Sequence, residues 1–550
     1  MGSQIPDSDS SSAGALWQDD DKESYVASTK VDEKELSINL EPSLLRGVPL
    51  HVALSGCGKH WKTPDSGMFH VDPKNYSLSQ PTPGLDDFLS HDWASRRSLK
   101  FLSLLILYNS RAAFWATLAA SVLVGILRAG GGLPDETWTS LTGHLVFGVV
   151  LMLWQQLQSP FRRSRMVFLD KLCIAQHDAE LKEKGILGLA GFVLRSQRLL
   201  VLWTPRYFSR LWCTLELATF LKDPENRRRI HFMPLKATGV LVMGAIFWNI
   251  LAICYGFVKI SLEEGSATQD LNVYLPVTGI LLTVSGAMLP LVFYLGLDLV
   301  HDLNALPKQL ASFRVQDAQC FCCSNDHVHP DTGAALPCDR RLVFSSLLKW
   351  YSRGGNDDSK DYLDAFNIEV QKQLAPRVVQ NLGGSGLPLS YTIYMVGTCG
   401  LPYISNVIPS WLIKFRSGLG GYELFVWTLR QLMDCAIVSI SAVFAVRASL
   451  ELWKVGVRMQ KYKCFRSRTL LVAVLVPCEL FLVSLVWALF AFSMRVTSKT
   501  SLLPVLPFVF SLASTLYLFI PSCGGSKVIQ LPEQGPRHES THSEESVFAI

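Results

Sequence analysis

Charge is scarce in this chain of 550 residues. Asp, Glu, Lys and Arg make up 18% of it, where soluble domains carry about a quarter. An apolar signal core is missing too: the first forty residues are rich in Ser, Asp, Glu and Lys, so a secreted protein is not expected. Nor is there a single basic domain. The net charge of +5 sits mainly beside apolar runs, which leaves nucleic acid without a binding surface. The thirteen cysteines show no disulfide framework, and there is no repeat of fixed period. What the chain does contain is long uncharged runs between clusters of charge, with a mean hydropathy of +0.24. A purely soluble enzyme is excluded, and contact with a lipid bilayer is expected.

About twenty apolar residues at 1.5 Å rise cross a hydrocarbon core of about 30 Å. Eight stretches qualify: 112–127, 137–161, 237–258, 271–297, 389–413, 424–446, 469–494 and 501–521. Lys and Arg stay on the cytosolic side. Segment 158–236 carries fifteen of them and 447–468 carries seven, whereas the four alternate loops share six basic and six acidic residues. The expectation is eight spans with both termini cytosolic. Segments 1–83 and 522–550 are too polar to bury a core and are expected to be mostly disordered.

Between spans two and three the periodicity changes. Runs at 166–171, 199–203 and 230–235 read as buried strands, and 178–197 and 210–222 as helices, with Ser209 a candidate cap. This alternation is a parallel α/β pattern, and 87–92 offers a further strand on the other side of the first hairpin. Three strings, FLSHDW (88–93), VFLDKLCIAQHD (167–178) and YFSRLWCTLEL (207–217), resemble the three boxes of a Toll/interleukin-1 receptor (TIR) domain. The D-x-x-C-I-x-Q form at Asp170, Cys173, Ile174 and Gln176 is also similar to HET domains. The resemblance covers 84–100 and 160–235, less than a fifth of the chain. It implies a flavodoxin-like parallel sheet, split by a membrane hairpin at 101–159 that the family lacks. The second hairpin is then 237–297, followed by a cytosolic segment 298–388 and four spans over 389–521.

The resemblance implies either assembly with TIR-like domains of itself or of other proteins, or hydrolysis of NAD to nicotinamide and ADP-ribose. For hydrolysis it implies Glu216 as the catalytic carboxylate, with Trp212, Asp170 and Ser90 lining the substrate site. Trp212 and Glu216, four apart, share a helix face, and a partly desolvated carboxylate there should be hard to ionise. Bland readings stay open: Trp212 packs the helix, Glu216 complements the helix dipole, and Asp170 caps a turn. The loop after Asp170 also lacks the glycine many family members place there.

Segment 320–338 gathers Cys320, Cys322, Cys323, His327, His329 and Cys338. Soft ligands at short spacing suit zinc, although a compact turn with buried thiols, or lipidation, fits as well. Inside the spans, Arg430, Asp434 and Glu479 are costly in lipid and therefore functional candidates. Arg430 and Asp434 also suit each other as a structural pair. These residues support the alternative of a transporter or channel in which the TIR-like part is regulatory. The glycine-rich stretch Ser55–His60 mimics a phosphate loop but lacks its first Gly and last Ser/Thr.

Overall fold

The short uninterrupted apolar runs form the middle of one sheet. A computed structural model of the chain describes residues 36, 40–62, 72–134, 137–263, 271–330, 333–351, 361–376, 378 and 387–519. Six strands, β1 (Arg46–Pro49), β2 (Gln80–Pro81), β3 (Leu85–His91), β4 (Met166–Phe168), β5 (Ser196–Trp203) and β6 (Ile230–Pro234), lie in the order β2-β1-β4-β3-β5-β6. The last four are mutually parallel, with Phe88 opposite both Phe168 and Leu199, and Val201 opposite Phe232. β1 is antiparallel to its two neighbours. Strands covered on both faces need no polar alternation, and Phe88, Leu89, Val167, Phe168, Leu200 and Val201 are all buried. Counted in chain order the parallel strands stack 2-1-3-4. That is a doubly wound arrangement with its switch point between β3 and β5.

Residues 40–62 and 72–83, expected to be mostly disordered with the rest of 1–83, are ordered. They supply β1, β2 and several short helices, because Val48, Leu50, Leu54 and Trp61 bury apolar surface in the same core. The first thirty or so residues, and the tail 522–550, lie outside the described residues. The helix expected over 178–197 is two helices, Ala179–Leu187 and Leu189–Leu194. They part at Gly188, where any side chain would collide with Leu40.

Between β3 and β4 the chain leaves the sheet. Helix α1 (Arg97–Ala129) has 33 residues and is about 50 Å long at 1.5 Å per residue. Its first turns bury Lys100, Phe101, Leu104 and Leu105, while farther on Trp115, Leu123 and Ile126 are exposed. Helix α2 (Leu141–Gln158) returns beside it. After β5, α3 (Leu211–Leu221) is apolar almost all round, burying Leu211, Leu215, Leu217, Ala218, Phe220 and Leu221. A helix of that kind must be covered on more than one side, here by the sheet and by residues of the 313–351 segment.

Among the described residues five helices are long and apolar enough to cross a membrane: Arg97–Ala129, Leu235–Gly256, Leu282–Ala311, α4 (Gly421–Met459) and α5 (Arg468–Val496). They mark an integral multi-pass membrane protein. Three of the eight expected spans differ. The 137–161 stretch yields α2, whose last turns carry Gln155, Gln156 and Gln158. The 389–413 stretch is broken into Leu389–Met395, a 3-10 turn Gly397–Tyr403 containing Pro402, and Ile404–Arg416. Of the 501–521 stretch, the described residues form Val505–Phe519, 15 residues. The long helices pack closely: a Cβ added at Gly296 would come within 2.2 Å of the Trp453 ring of α4.

One buried ion pair ties sheet to membrane helix. Asp87, in the middle of β3, accepts from Arg198 at 2.7 and 3.0 Å and from the Tyr108 hydroxyl of α1 at 2.8 Å. Breaking it should be asymmetric. Arg198→Ala leaves the buried carboxylate with only the more distant Arg165, 3.8 Å away, and should cost about 3 kcal/mol or more. Asp87→Ala frees a half-exposed guanidinium to hydrate and should cost about 1–3 kcal/mol. Denaturant unfolding of both variants in detergent tests this; equal losses would contradict it.

Candidate functional site

The C-terminal edge of the parallel sheet gathers the ionisable groups. Helix α3 begins without a side-chain cap. Ser209, the expected cap, instead donates to the Arg206 carbonyl at 2.7 Å, and the first helical amide, Leu211 N, donates to the Gln319 carbonyl at 2.9 Å. One turn on, Glu216 turns toward the end of β3. Its carboxylate accepts a hydrogen bond from the Ser90 hydroxyl. That hydroxyl also lies 2.6 Å from the Tyr207 hydroxyl. Ser90 and Tyr207 are both fully buried. Burial pushes Glu216 up to about 8, the Ser90 hydrogen bond opposing the rise and the nearby Asp170 adding to it. At neutral pH Glu216 therefore carries its proton.

Asp170 stands at the end of β4, as its position in the sequence suggested. It accepts from the Trp93 indole at 2.8 Å and from its neighbour's amide, Lys171 N, at 2.7 Å. It thus closes a turn at the sheet's C-terminal edge. Burial raises its pKa, against the pull of Trp93, the Lys171 amide and Lys100. The Lys100 ammonium lies 4.9 Å over the Trp93 ring and donates to the Asp92 and Trp93 carbonyls, both at 3.3 Å. His91 stands edge-on to Trp61 and Trp93. Burial holds its pKa well below the usual value, so it is neutral at pH 7.

Ser90, Asp170 and Glu216 are thus brought together. Trp212 is not: its indole donates to Asp339 at 3.2 Å, away from the carboxylate one turn along. Sequence reasoning passed over Tyr207, Trp93 and Lys100. The first two stand in the quoted strings, and a buried aromatic with a polar tip at a box boundary was the available signal. Asp339 left no signal, being 127 residues from its partner.

Four of the six Cys/His candidates converge. The ligand atoms of Cys322, Cys323, His327 and Cys338 all lie within 4.8 Å of one another. Cys323 Sγ is 4.0 Å from Cys322 Sγ, 3.9 Å from Cys338 Sγ and 3.6 Å from His327 Nε2. A tetrahedron with Zn–S of about 2.3 Å and Zn–N of about 2.0 Å has edges of about 3.5–3.8 Å, so the set fits a metal of that size. Asp326 and His327 both have left-handed φ, 50° and 57°. Non-glycine residues hold that conformation only where their surroundings demand it. Cys320 lies beside the set, 3.5 Å from Cys322. His329 is outside the group, buried near the Phe321 ring.

In the membrane part, Arg430 of α4 donates to the Met494, Ser498 and Ser501 carbonyls at 2.8, 2.8 and 3.1 Å and to Thr497 Oγ1 at 3.1 Å. It closes the C-terminal end of α5. Asp434 accepts from the Tyr255 hydroxyl at 3.3 Å. Glu479 is 3% exposed, on α5.

No family model, curated protein or solved structure matches the chain.

The raised pKa of Glu216 has a stability consequence. The folded protein keeps a proton that the unfolded chain releases between about pH 4.5 and pH 8. The contribution of this group is therefore complete below that window and lost as pH rises through it. Glu216→Gln cannot ionise, so its melting temperature should gain on that of the wild type as pH climbs from about 5 to about 9. A difference that stays flat across the range would show that Glu216 ionises normally.

Proposed function

We propose that this is a membrane-anchored signalling protein with a split TIR-like unit on the cytosolic face. It works through association of those units and hydrolyses NAD at Glu216. The eight-span topology with both termini cytosolic belongs to the same reading, its orientation resting on the loop charges. Zinc is the metal proposed for Cys322, Cys323, His327 and Cys338, on the fit of their separations to a tetrahedral site. The observation that carries the functional reading is the half-buried Glu216 carboxyl, held by Ser90 at the switch point of a parallel sheet. That is the position where such sheets bind ligands, and a carboxyl with a strongly raised pKa in a cleft is a functional candidate.

In this reading the bond between the ribose C1′ and nicotinamide N1 breaks, and its electron pair leaves with the nicotinamide, which departs neutral. Positive charge grows at C1′, and the ionised Glu216 opposes it. Water then adds to C1′ and releases a proton to solvent. Ser90 and Tyr207 fix the direction of the carboxylate. Because the ionised form acts, kcat/KM for NAD should rise about tenfold per pH unit below about 8 and then level off. Nicotinamide release by purified protein on vesicles, at the density that association requires, measures this. Glu216→Ala should abolish it. Turnover unchanged in that variant would remove Glu216 from the chemistry, and no turnover by the clustered wild type would leave association as the function.

A second reading, a transporter or channel regulated by the cytosolic unit, is favoured by the broken helix around Gly397–Tyr403 and the buried Glu479. Interrupted helices and buried acids mark substrate paths in membranes. Glu479→Gln should then abolish proton- or cation-driven flux in proteoliposomes while sparing nicotinamide release.

A further inference from the structure

The Cys/His segment does more than lie near the sheet: it completes the helix that carries Glu216. Gln319, three residues before Cys322, the first of the four ligands, exchanges two backbone hydrogen bonds with the start of α3. Its amide donates to Ser209 O at 2.7 Å, and its carbonyl accepts from Leu211 N at 2.9 Å. That carbonyl takes the place of the side-chain cap α3 lacks, satisfying one of the amides every helix start leaves open. On the other side of the cluster Asp339 follows Cys338 directly. Its amide donates to Cys322 Sγ at 3.2 Å, and its carboxylate accepts from Trp212. Arg340 then closes the segment on itself through the Gln316 and Ala318 carbonyls at 2.9 and 2.8 Å. Farther along, the Tyr351 hydroxyl reaches the Ala218 carbonyl at 3.3 Å.

Both attachments to the start of α3 thus issue from the two ends of the cluster, Gln319 three residues before Cys322 and Asp339 directly after Cys338. The loop has its own backbone bonds, His327 N to Cys322 O at 2.8 Å and Leu336 N to His327 O at 2.7 Å, but its two arms meet at the thiols only through weak contacts of 3.9–4.0 Å. With a metal, one centre fixes both ends of the grip. We propose that metal bound by Cys322, Cys323, His327 and Cys338 clamps the first turn of α3, through Gln319 and the Asp339–Trp212 hydrogen bond, and so sets the position of Glu216. This rests on the zinc reading above, and it makes metal occupancy a control on the cleft. Trp212 and Asp339 are positioning residues in it, and neither faces the Ser90–Glu216 pair.

The test uses the full chain in detergent, with zinc content read by atomic emission and amide exchange read peptide by peptide. Stripping the metal with a chelator should speed exchange over 209–217 about tenfold, the effect of losing a hydrogen bond or two, and leave β3 unchanged. Cys323→Ser should reproduce this with zinc lost. Trp212→Phe should still bind zinc and already exchange faster over 209–217, and chelation should add much less than it does in the wild type. A purely structural tryptophan would instead give additive effects, which would overturn the clamp. Exchange over 209–217 that ignores metal removal would also overturn it while leaving the zinc reading intact. So would a rise spread equally over β3. A chain that neither contains zinc nor takes it up would overturn both. NAD turnover enters none of these readouts, so a failure of the hydrolase reading is seen separately.

Discussion

Helix α1 serves two environments without a break, and the placement of everything else follows from that. Its first three turns are a sheet-covering helix, with Phe101, Leu104 and Leu105 in the core and Tyr108 hydrogen-bonded to Asp87. Its second half presents Trp115, Leu123 and Ile126 outward. A continuous helix transmits orientation along its whole length, so the sheet has no freedom to tumble relative to the apolar helices. The opposite edge is held as tightly. β6 ends at Pro234, and the next long helix starts at Leu235. Thr238 in its first turn lies 2.6 Å from Ser103 of α1, and Lys236 pairs with Asp302 at 2.7 Å.

Against that rigid frame, the cluster of ionisable groups at the sheet's C-terminal edge is electrostatically unusual. Glu216 and Asp170 are both pushed toward the protonated state by burial, and each is bound by a donor that works against the push. Lys100 supplies the nearest buried positive charge, shared between two carbonyls and the Trp93 face. A cationic ligand entering such a place would draw the proton off Glu216. Binding and ionisation are then linked by the ordinary thermodynamics of a desolvated acid.

What the sequence revealed depended on how local the cause was. Parallel strands with both faces covered are continuous apolar runs, so 199–203 and 230–235 could be read directly, and Asp170 follows from the end of such a run. Glu216 was found through a resemblance, whereas Tyr207, which shares the Ser90 hydroxyl with it, was passed over because nothing in a linear pattern distinguishes a buried hydroxyl from a packed ring. Trp212 reads as a companion of Glu216 by helical spacing, yet its indole is turned toward Asp339 by a segment more than a hundred residues away. The pairing of Arg430 with Asp434 was reasonable for residues one turn apart. It did not anticipate the carbonyls left open at the end of α5, which only helix packing brings within reach. Likewise six Cys and His residues at short spacing narrow to four only once two left-handed residues have turned His327 toward Cys323.

The interruption of the sheet by a helical hairpin also orders events in time. β3 is the central strand, yet both of its partners, β4 and β5, are made only after α1 and α2 have left the ribosome. Until α1 and α2 have been made and packed together, β3 carries Asp87 and Ser90 without either of its partner strands. The sheet therefore cannot mature ahead of the apolar helices, as an independent domain on a tether would. A chain whose first hairpin goes astray should be left with an unpaired central strand, the kind of exposed edge that quality control removes, so assembly of the cleft certifies that the hairpin has been correctly seated.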